Sequence, residues 1–371
     1  MGEWQSAVEG LGVKQFGNVY SGRRVLLTGH TGFKGSWLAQ WLSALGAEIT
    51  GYALSPTSTT SHWQLLDLPV TDLRCDVRDQ PALDAALRQS QAEIVFHLAA
   101  QPLVRRSYRD PLESWSTNVM GTANVLEACR RHTCVRAVVV VTTDKVYANQ
   151  EWPWGYREND RLGGFDPYSA SKAAAELVAA SYRQAFFVHG GAPLVATARA
   201  GNVIGGGDWS EDRLIPDLVR AISSGQALEI RSPHATRPWQ HVLDCLAGYL
   251  VLGQRLLEGD KSCATAWNFG PAAQDNRTVE SVLELMKRHW PELAWKVSGL
   301  QQAHEATLLY LDSSQARARL GWQPVWSLEQ ALEATAAWYR ESPASAALAT
   351  RQQISGYVAA AASVDANWVR A

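Results

Sequence analysis

Arg23-Arg24-Val25-Leu26-Leu27-Thr28-Gly29-His30-Thr31-Gly32-Phe33-Lys34-Gly35 is the stretch that decides the fold. A basic edge leads into a short apolar run, a turn with glycines at 29, 32 and 35, and then helical apolar spacing from Gly35 to Leu45. Gly46 stops that helix, the residue expected at a left-handed cap. Glycines at these places let the backbone turn tightly and come close to a pyrophosphate, and the helix behind them offers unpaired N–H groups and the positive end of its dipole. The spacing is G-x-x-G-x-x-G rather than G-x-G-x-x-G. A plain turn is the alternative, but the strand–turn–helix context favours dinucleotide binding.

The same alternation continues outward. Ile49 to Leu54 reads as a strand, Pro81 to Gln89 as a helix with proline in its first turn, and Ile94 to Leu98 as a strand. Thr117 to Arg131 reads as a helix, Ala137 to Val141 as a strand, Ser169 to Phe187 as a helix and Leu194 to Ala198 as a strand. The strands are unbroken apolar runs, which predicts a parallel sheet covered on both faces: an α/β, doubly wound fold. After Arg199 the texture changes. We expect an extension over 1–22, a dinucleotide-binding domain over 23–200 with 237–259 returning to it, a smaller discontinuous substrate region over 201–236 and 260–345, and an Ala-rich tail over 346–371.

Length and composition bound the function. The 371 residues suit about two core-bearing units, and 46% apolar with 19% charged residues is a globular balance. A net charge of -2 argues against a general affinity for nucleic acid or an anionic membrane. The five cysteines include no C-x-x-C, so neither a zinc site nor a disulfide framework is expected. No 18-residue uncharged apolar run exists, and the first 20 residues do not read as a signal peptide, so the expectation is a cytoplasmic protein. The 16 tryptophans are expected to pack rather than to cage a ligand.

Two further motifs carry chemistry. Tyr168-Ser169-Ala170-Ser171-Lys172 puts a phenol and an ammonium on one helix face. A lysine beside a phenol favours phenolate, which suits Tyr168 to move a hydroxyl proton while hydride leaves the same carbon. Val139 to Tyr147 places Thr142, Thr143, Asp144 and Lys145 at the C-terminal end of a buried strand, where open α/β sheets bind ligands. The second strand ends Ala53-Leu54-Ser55, with no acid for a ribose hydroxyl and no arginine for a 2′-phosphate. Asp76 is open between reaching an adenosine and capping a solvated turn. His97 and His241 read as packed histidines.

Longer phrases add a resemblance. Thr28 to Trp37, His97 to Arg105, Thr142 to Tyr147, Gly155 to Asp160, Ala198 to Trp209 and Arg237 to Val242 resemble the extended short-chain dehydrogenase/reductase family. Within it they are similar to the nucleotide-sugar 4,6-dehydratases, above all the branch acting on CDP-glucose. The resemblance implies a Rossmann-type fold and NAD held by Gly29, Thr31, Gly32, Phe33, Lys34 and Gly35 in the first turn. Further cofactor contacts would come from Asp76 and Val77, from Leu98, Ala99, Ala100 and Gln101, and from Asn118, Thr142, Tyr168 and Lys172. Thr143, Tyr168 and Lys172 match the active-site set, and Asp144 matches the acid that protonates a departing 6-hydroxyl. Lys145 stands where dTDP- and GDP-sugar dehydratases carry Glu as the C5 base; a neutral lysine could replace it, or a charged one could stabilise the enolate.

On the substrate side the resemblance implies Leu103, Arg105, Asn202, Arg213, Arg237 and Tyr310, no metal, and a homodimer or homotetramer paired through the helices at 117–131 and 169–187. Arg106 and Arg109 are open between phosphate contact and surface charge. Two other functions fit the scaffold: a nucleotide-sugar epimerase or reductase, and a dinucleotide-binding sensor without catalysis. Asp144 with Lys145 argues against the first, and the intact Thr143, Tyr168 and Lys172 argue against the second.

Overall fold

The structure, a computed structural model, describes residues 14–56, 60–298 and 307–370. Seven parallel strands form the central sheet. They are β1 (Arg24–Thr28), β2 (Glu48–Ala53), β3 (Thr71–Arg74), β4 (Ile94–His97), β5 (Ala137–Val141), β6 (Leu194–Ala200) and β7 (Ala266–Phe269). Their order is β7-β6-β5-β4-β1-β2-β3. The direction of winding reverses between β1 and β4, which opens a crevice at their C-terminal ends.

The strands alternate faces. Val25, Leu27, Phe96 and Val139 pack against one layer, formed by α1 (Phe33–Ala44) and α5 (Val242–Leu257). Leu26, Val95, Val138 and Val140 pack against the other, formed by α2 (Gln80–Ser90), α3 (Gly121–Arg131) and α4 (Pro167–Ala185). The helix starts follow their side chains: the Asp79 carboxylate accepts from the Ala82 N–H, the Asp166 carboxylate from the Ser169 N–H, and proline occupies the first turn of α2 and of α4. Both cores are fully dry aliphatic and aromatic layers, which is why each strand reads as a continuous apolar run.

The structure departs from expectation at two places. The seventh strand comes from 266–269, inside the stretch expected to belong to the substrate region. It pairs with β6 from Ala266↔Thr197 to Phe269↔Ala200, because α5 acts as the crossover that carries the chain back to the sheet. The helix expected from Thr117 starts earlier, at Pro111, and passes through a wider i+5 turn over Ser116–Met120 before α3. A local wide turn has no signature in apolar spacing. The Ala-rich tail folds as a helix over Ala346–Ser363 and packs on α1. There Thr350 accepts from Trp338 Nε1 (3.0 Å) and lies 2.9 Å from His62 Nε2, whose Nδ1 is 2.7 Å from the Ser36 hydroxyl.

The first and last described residues meet. Lys14–Gln15 pairs antiparallel with Val369–Arg370, and residues 1–13 of the expected extension lie outside the described residues. Phe16, fully buried, stacks on Trp368 at 4.8 Å and meets Trp41 edge-on at 5.8 Å. Much of the tryptophan is here and in the neighbouring layer: Trp37, Trp41, Trp267 and Trp322 are among the largest fully buried side chains. Among the described residues no helix is long and apolar enough to cross a membrane.

Phe16 is the anchor that joins both termini to α1. Phe16→Ala is expected to lower stability by about 3–5 kcal/mol, read as a lower thermal unfolding midpoint, while leaving the sheet and the crevice intact.

Candidate active site

The crevice at the switch point is a cavity of about 650 Å³ that runs from the first glycine turn to the segment after β6. Its floor is built by backbone. Gly29 has φ +75°, and a Cβ on it would lie 2.6 Å from the Ala99 nitrogen; a Cβ on Gly35 would lie 2.1 Å from the Gly29 oxygen. The turn is therefore pressed onto the end of β4 with no space for side chains. Gly32 caps α1 without any side-chain bond, so the first N–H groups of the helix face the cavity uncapped. Such a cradle fits a pyrophosphate.

At one end of the cavity Ala53, Leu54 and Ser55 line the wall beside Asp76, Val77 and Arg78. Asp76 is the carboxylate that the end of β2 lacks. It is held by Arg78, which donates from Nε at 3.0 and 2.9 Å and from Nη2 at 2.5 Å, and this pairing holds its carboxyl below the usual range. Arg74 bonds Asp72 at 2.5 Å and the Leu54 carbonyl at 3.4 Å. Both arginines near this end are thus already engaged by carboxylates.

The middle of the cavity brings together Thr142, Thr143, Asp144, Lys145, Tyr168 and Lys172. Thr143 donates to Asp144 Oδ1 at 2.9 Å, while the buried Oδ2 has no hydrogen-bond partner among the described residues. Burial pushes the Tyr168 phenol up to about 12, with the Thr143 hydroxyl pulling it down, Asp144 pushing it up and Arg213 pulling it down. The Lys172 ammonium is directed at the Val141 carbonyl, 2.9 Å away, rather than at the phenol. Burial lowers Lys172 itself to about 8, helped by the charge of Lys34 and opposed by Glu176. Burial also lowers Lys34, whose Nζ lies 3.4 Å from the Tyr249 hydroxyl.

The far end is cationic. Arg105 bonds Asp212 at 2.8 Å, Arg213 bonds Asp208 at 3.1 Å, and the buried Arg237 lines the wall with Asn202. Arg231 also lines it, 3.5 Å from Asp212. Arg106 lines the cavity but bonds Glu113, and Arg109 lies outside it on Glu211.

Leu98, Ala99, Ala100, Gln101 and Leu103, together with Thr31, Phe33 and Lys34, also face the cavity. Asn118 and Tyr310 do not. Asn118 is buried behind the wall, where it receives the Gln101 N–H (2.9 Å) and donates to the Gln101 carbonyl (3.1 Å) and the Ser171 hydroxyl (2.9 Å). The Tyr310 carbonyl accepts from the Tyr156 N–H in a strand-like bridge. His97 and His241 are buried and held down to about 3 by burial. Arg231, Glu176 and Arg199 were not singled out in the sequence. Arg231 follows a three-residue strand whose pattern is too short to read, and the other two look like ordinary helix and strand positions. Among the described residues no three His, Cys, Asp or Glu side chains are grouped to hold a metal.

The sequence profile of GDP-mannose 4,6 dehydratase matches residues 26–335. The chain is 46% identical over 333 residues to CDP-glucose 4,6-dehydratase of Salmonella typhimurium, covering 87% of this chain and 92% of that protein. It is 30% identical over 335 residues to a dTDP-glucose 4,6-dehydratase of Streptomyces antibioticus, covering 86% and 93%. Among solved structures, MoeE5 in complex with UDP-glucuronic acid and NAD superposes with a TM-score of 0.71 at 27% identity, covering 85% of this chain and 98% of MoeE5. A UDP-glucuronic acid 4-epimerase of Bacillus cereus superposes at 0.74 with 24% identity, covering 85% and 98%, and shows the fold alone. With the glycine cradle, the Thr143, Tyr168 and Lys172 set and a profile match over most of its length, the chain belongs to the GDP-mannose 4,6 dehydratase family.

Proposed function

We propose that this chain is a CDP-glucose 4,6-dehydratase that yields CDP-4-keto-6-deoxyglucose, with no net redox change. The observation that carries the reading is the placement of Asp144 in one cavity with Tyr168 and Lys172. An epimerase or reductase needs no acid for a leaving 6-hydroxyl. The likeness to the Salmonella enzyme supports CDP as the nucleotide.

The cradle of Gly29 to Gly35 would hold the pyrophosphate of NAD, with Asp76 at the adenosine ribose and Tyr168 and Lys172 at the nicotinamide end. The Asp72 and Asp76 carboxylates at this end favour NAD over a 2′-phosphorylated cofactor, because they repel a phosphate. NAD held there would supply the acceptor for the hydride of sugar C4 and the donor for C6. Tyr168 takes the 4-hydroxyl proton, with the Thr143 hydroxyl beside it and the Lys172 charge favouring phenolate as the proton leaves. The 4-ketone acidifies the C5 proton, which passes to Lys145 in its neutral amine form and is returned from it to C5 as C6 is reduced. Asp144 protonates the 6-hydroxyl through its unpartnered Oδ2, and water departs across C5 and C6. Arg105, Arg213, Arg231 and Arg237 meet the diphosphate as charge-assisted donors.

Leu112, Trp115 and Met120 on the helical run from Pro111, and Leu177 on the adjacent α4, expose apolar side chains side by side. A second copy of the chain covers this face in our reading, giving a homodimer. Met120→Glu is expected to yield monomers by analytical ultracentrifugation.

The direct test incubates the protein and NAD separately with the glucose conjugates of CDP, dTDP, UDP and GDP and follows loss of one water by mass spectrometry. Water loss from CDP-glucose alone is expected; loss from another conjugate only would overturn the nucleotide. Asp144→Asn is expected to keep C4 oxidation and lose water elimination, so that reduced nicotinamide accumulates and is seen by its near-ultraviolet absorbance. The pH profile follows Lys172: below about 8 the ammonium is charged, and above it the charge is lost, so kcat is expected to fall as pH rises through about 8. In Lys172→Arg, where the charge persists, whatever activity remains should lack that alkaline limb.

A further inference from the structure

Thr143, Asp144 and Lys145 lead from the end of β5 into a short turn, and both ends of that turn are gripped by one buried ion pair. Glu176 stands one helical turn beyond Lys172 on α4, and Arg199 lies on β6. Their side chains are 2% and 3% exposed and meet through Arg199 Nε and Nη2 at 3.0 and 2.9 Å. On the entry side, Thr142 donates to Glu176 at 2.5 Å, and Thr197 donates to the same carboxylate at 2.7 Å. On the exit side, Arg199 donates to the Tyr147 hydroxyl at 2.8 Å and to the Glu158 carbonyl at 3.0 Å. Tyr147 in turn donates to Asn268 Oδ1 at 2.7 Å, and its ring stacks on Tyr156 at 5.0 Å.

The two ends of the turn differ in what else holds them. The entry is fixed independently of Tyr147, because Lys172 bonds the Val141 carbonyl and Thr142 bonds Glu176. Tyr168, Thr143 and Lys172 therefore keep their places through α4 and β5. The exit, beyond Asp144 and Lys145, is held by a backbone bridge, in which the Val146 carbonyl accepts the Gly163 N–H at 2.8 Å and the Ala148 N–H donates to the Arg161 carbonyl at 2.9 Å, and on the side-chain side by the phenol of Tyr147. Lys145 Nζ forms no hydrogen bond or ion pair with another described residue, so nothing but the turn's backbone fixes where its amine stands.

We propose that the chain Arg199–Tyr147–Asn268 is a positioning device for the elimination half of the reaction: it sets where Asp144 and Lys145 stand and leaves C4 oxidation to the groups held by α4. The proposal rests on the dehydratase reading of Asp144 and Lys145. Removing the phenol hydroxyl leaves the ring stacked and the backbone bridge to 161–163 in place but takes away the only side-chain hydrogen bonds that tie the exit of the turn to Arg199 and Asn268. A shift of the order of 1 Å in a reacting group is enough to slow a step by up to about a hundredfold.

Tyr147→Phe, turned over with NAD and CDP-glucose, tests this. Turnover is expected to fall roughly tenfold, within the range such a misplacement produces, while the steady-state share of reduced nicotinamide rises several-fold toward that of Asp144→Asn. Arg199→Lys keeps a cation on Glu176 but cannot also reach Tyr147 and Glu158, and it is expected to show the same rise. Tyr156→Phe loses a hydroxyl that bonds only Asn149 and the Gln150 N–H, outside the grip, and is expected to leave the partition unchanged. Slower turnover of Tyr147→Phe without a rise in reduced nicotinamide, or unaltered turnover, would overturn the proposal while Asp144→Asn still upholds the function. Wild-type protein that removes no water from CDP-glucose, and Asp144→Asn that accumulates nothing, would instead overturn the reading beneath it.

Discussion

One buried hydroxyl ties together the strands on which the site depends. Thr28, the last residue of β1, lies 2.7 Å from His97 Nδ1 at the end of β4, and its oxygen also accepts the Leu98 and Ala99 N–H groups at 3.1 and 3.2 Å. His97 Nε2 continues the chain to the Thr122 hydroxyl on α3, 3.1 Å away. The register sets Thr28 beside His97 and His97 beside Val140. All three strands therefore end at one level, and the loops that leave them enter the same crevice. Burial keeps His97 neutral, so this junction holds at any working pH without adding charge under the site.

Charge is confined to where it acts. The cations of the diphosphate end, Arg105, Arg213 and Arg231, rest on the carboxylates Asp208 and Asp212. A cation held by a carboxylate keeps its geometry when no substrate is present, and it retains donors for a phosphate. The catalytic centre is arranged differently. Lys172 is buried there and Lys34 partly buried, neither with a carboxylate in contact, and desolvation lowers both. The site thus keeps one strongly basic region for binding and one weakened pair of ammonium groups for chemistry.

The sheet was legible in the sequence because its strands are buried on both sides and so read as unbroken apolar runs. The glycine turn was legible because only glycine tolerates the contact between Gly35 and Gly29. Thr143, Asp144, Lys145, Tyr168 and Lys172 were found as motifs, and the cavity gathers all of them. What stayed hidden depends on contacts between distant segments. Arg231 meets Asp212 across 19 positions, Arg199 meets Glu176 from another strand, and β7 joins the sheet only after α5 has crossed it. The behaviour of Tyr168 was hidden for a related reason: spacing of four places Lys172 on the same face, but the strand carbonyl of Val141 decides where its ammonium goes.

The same fold serves epimerases and dehydratases, as the likeness to the Bacillus cereus epimerase shows. The structure indicates how one scaffold can do so. On the proposed dehydratase reading, the groups for moving a proton at C4 are carried by α4 and by the end of β5, parts of the sheet layer itself, and the groups for elimination by a short turn that lies outside the sheet, between Thr143 and Tyr147. A turn can exchange residues at low cost to the core, because the Lys145 amine has no hydrogen-bond or ion-pair partner among the described residues and Asp144 Oδ2 is left open. Its freedom must then be limited from outside, and the buried pair Glu176–Arg199 does this from the side away from substrate. Oxidation chemistry is thereby built into the fold, and elimination is an addition that the fold has to hold in place.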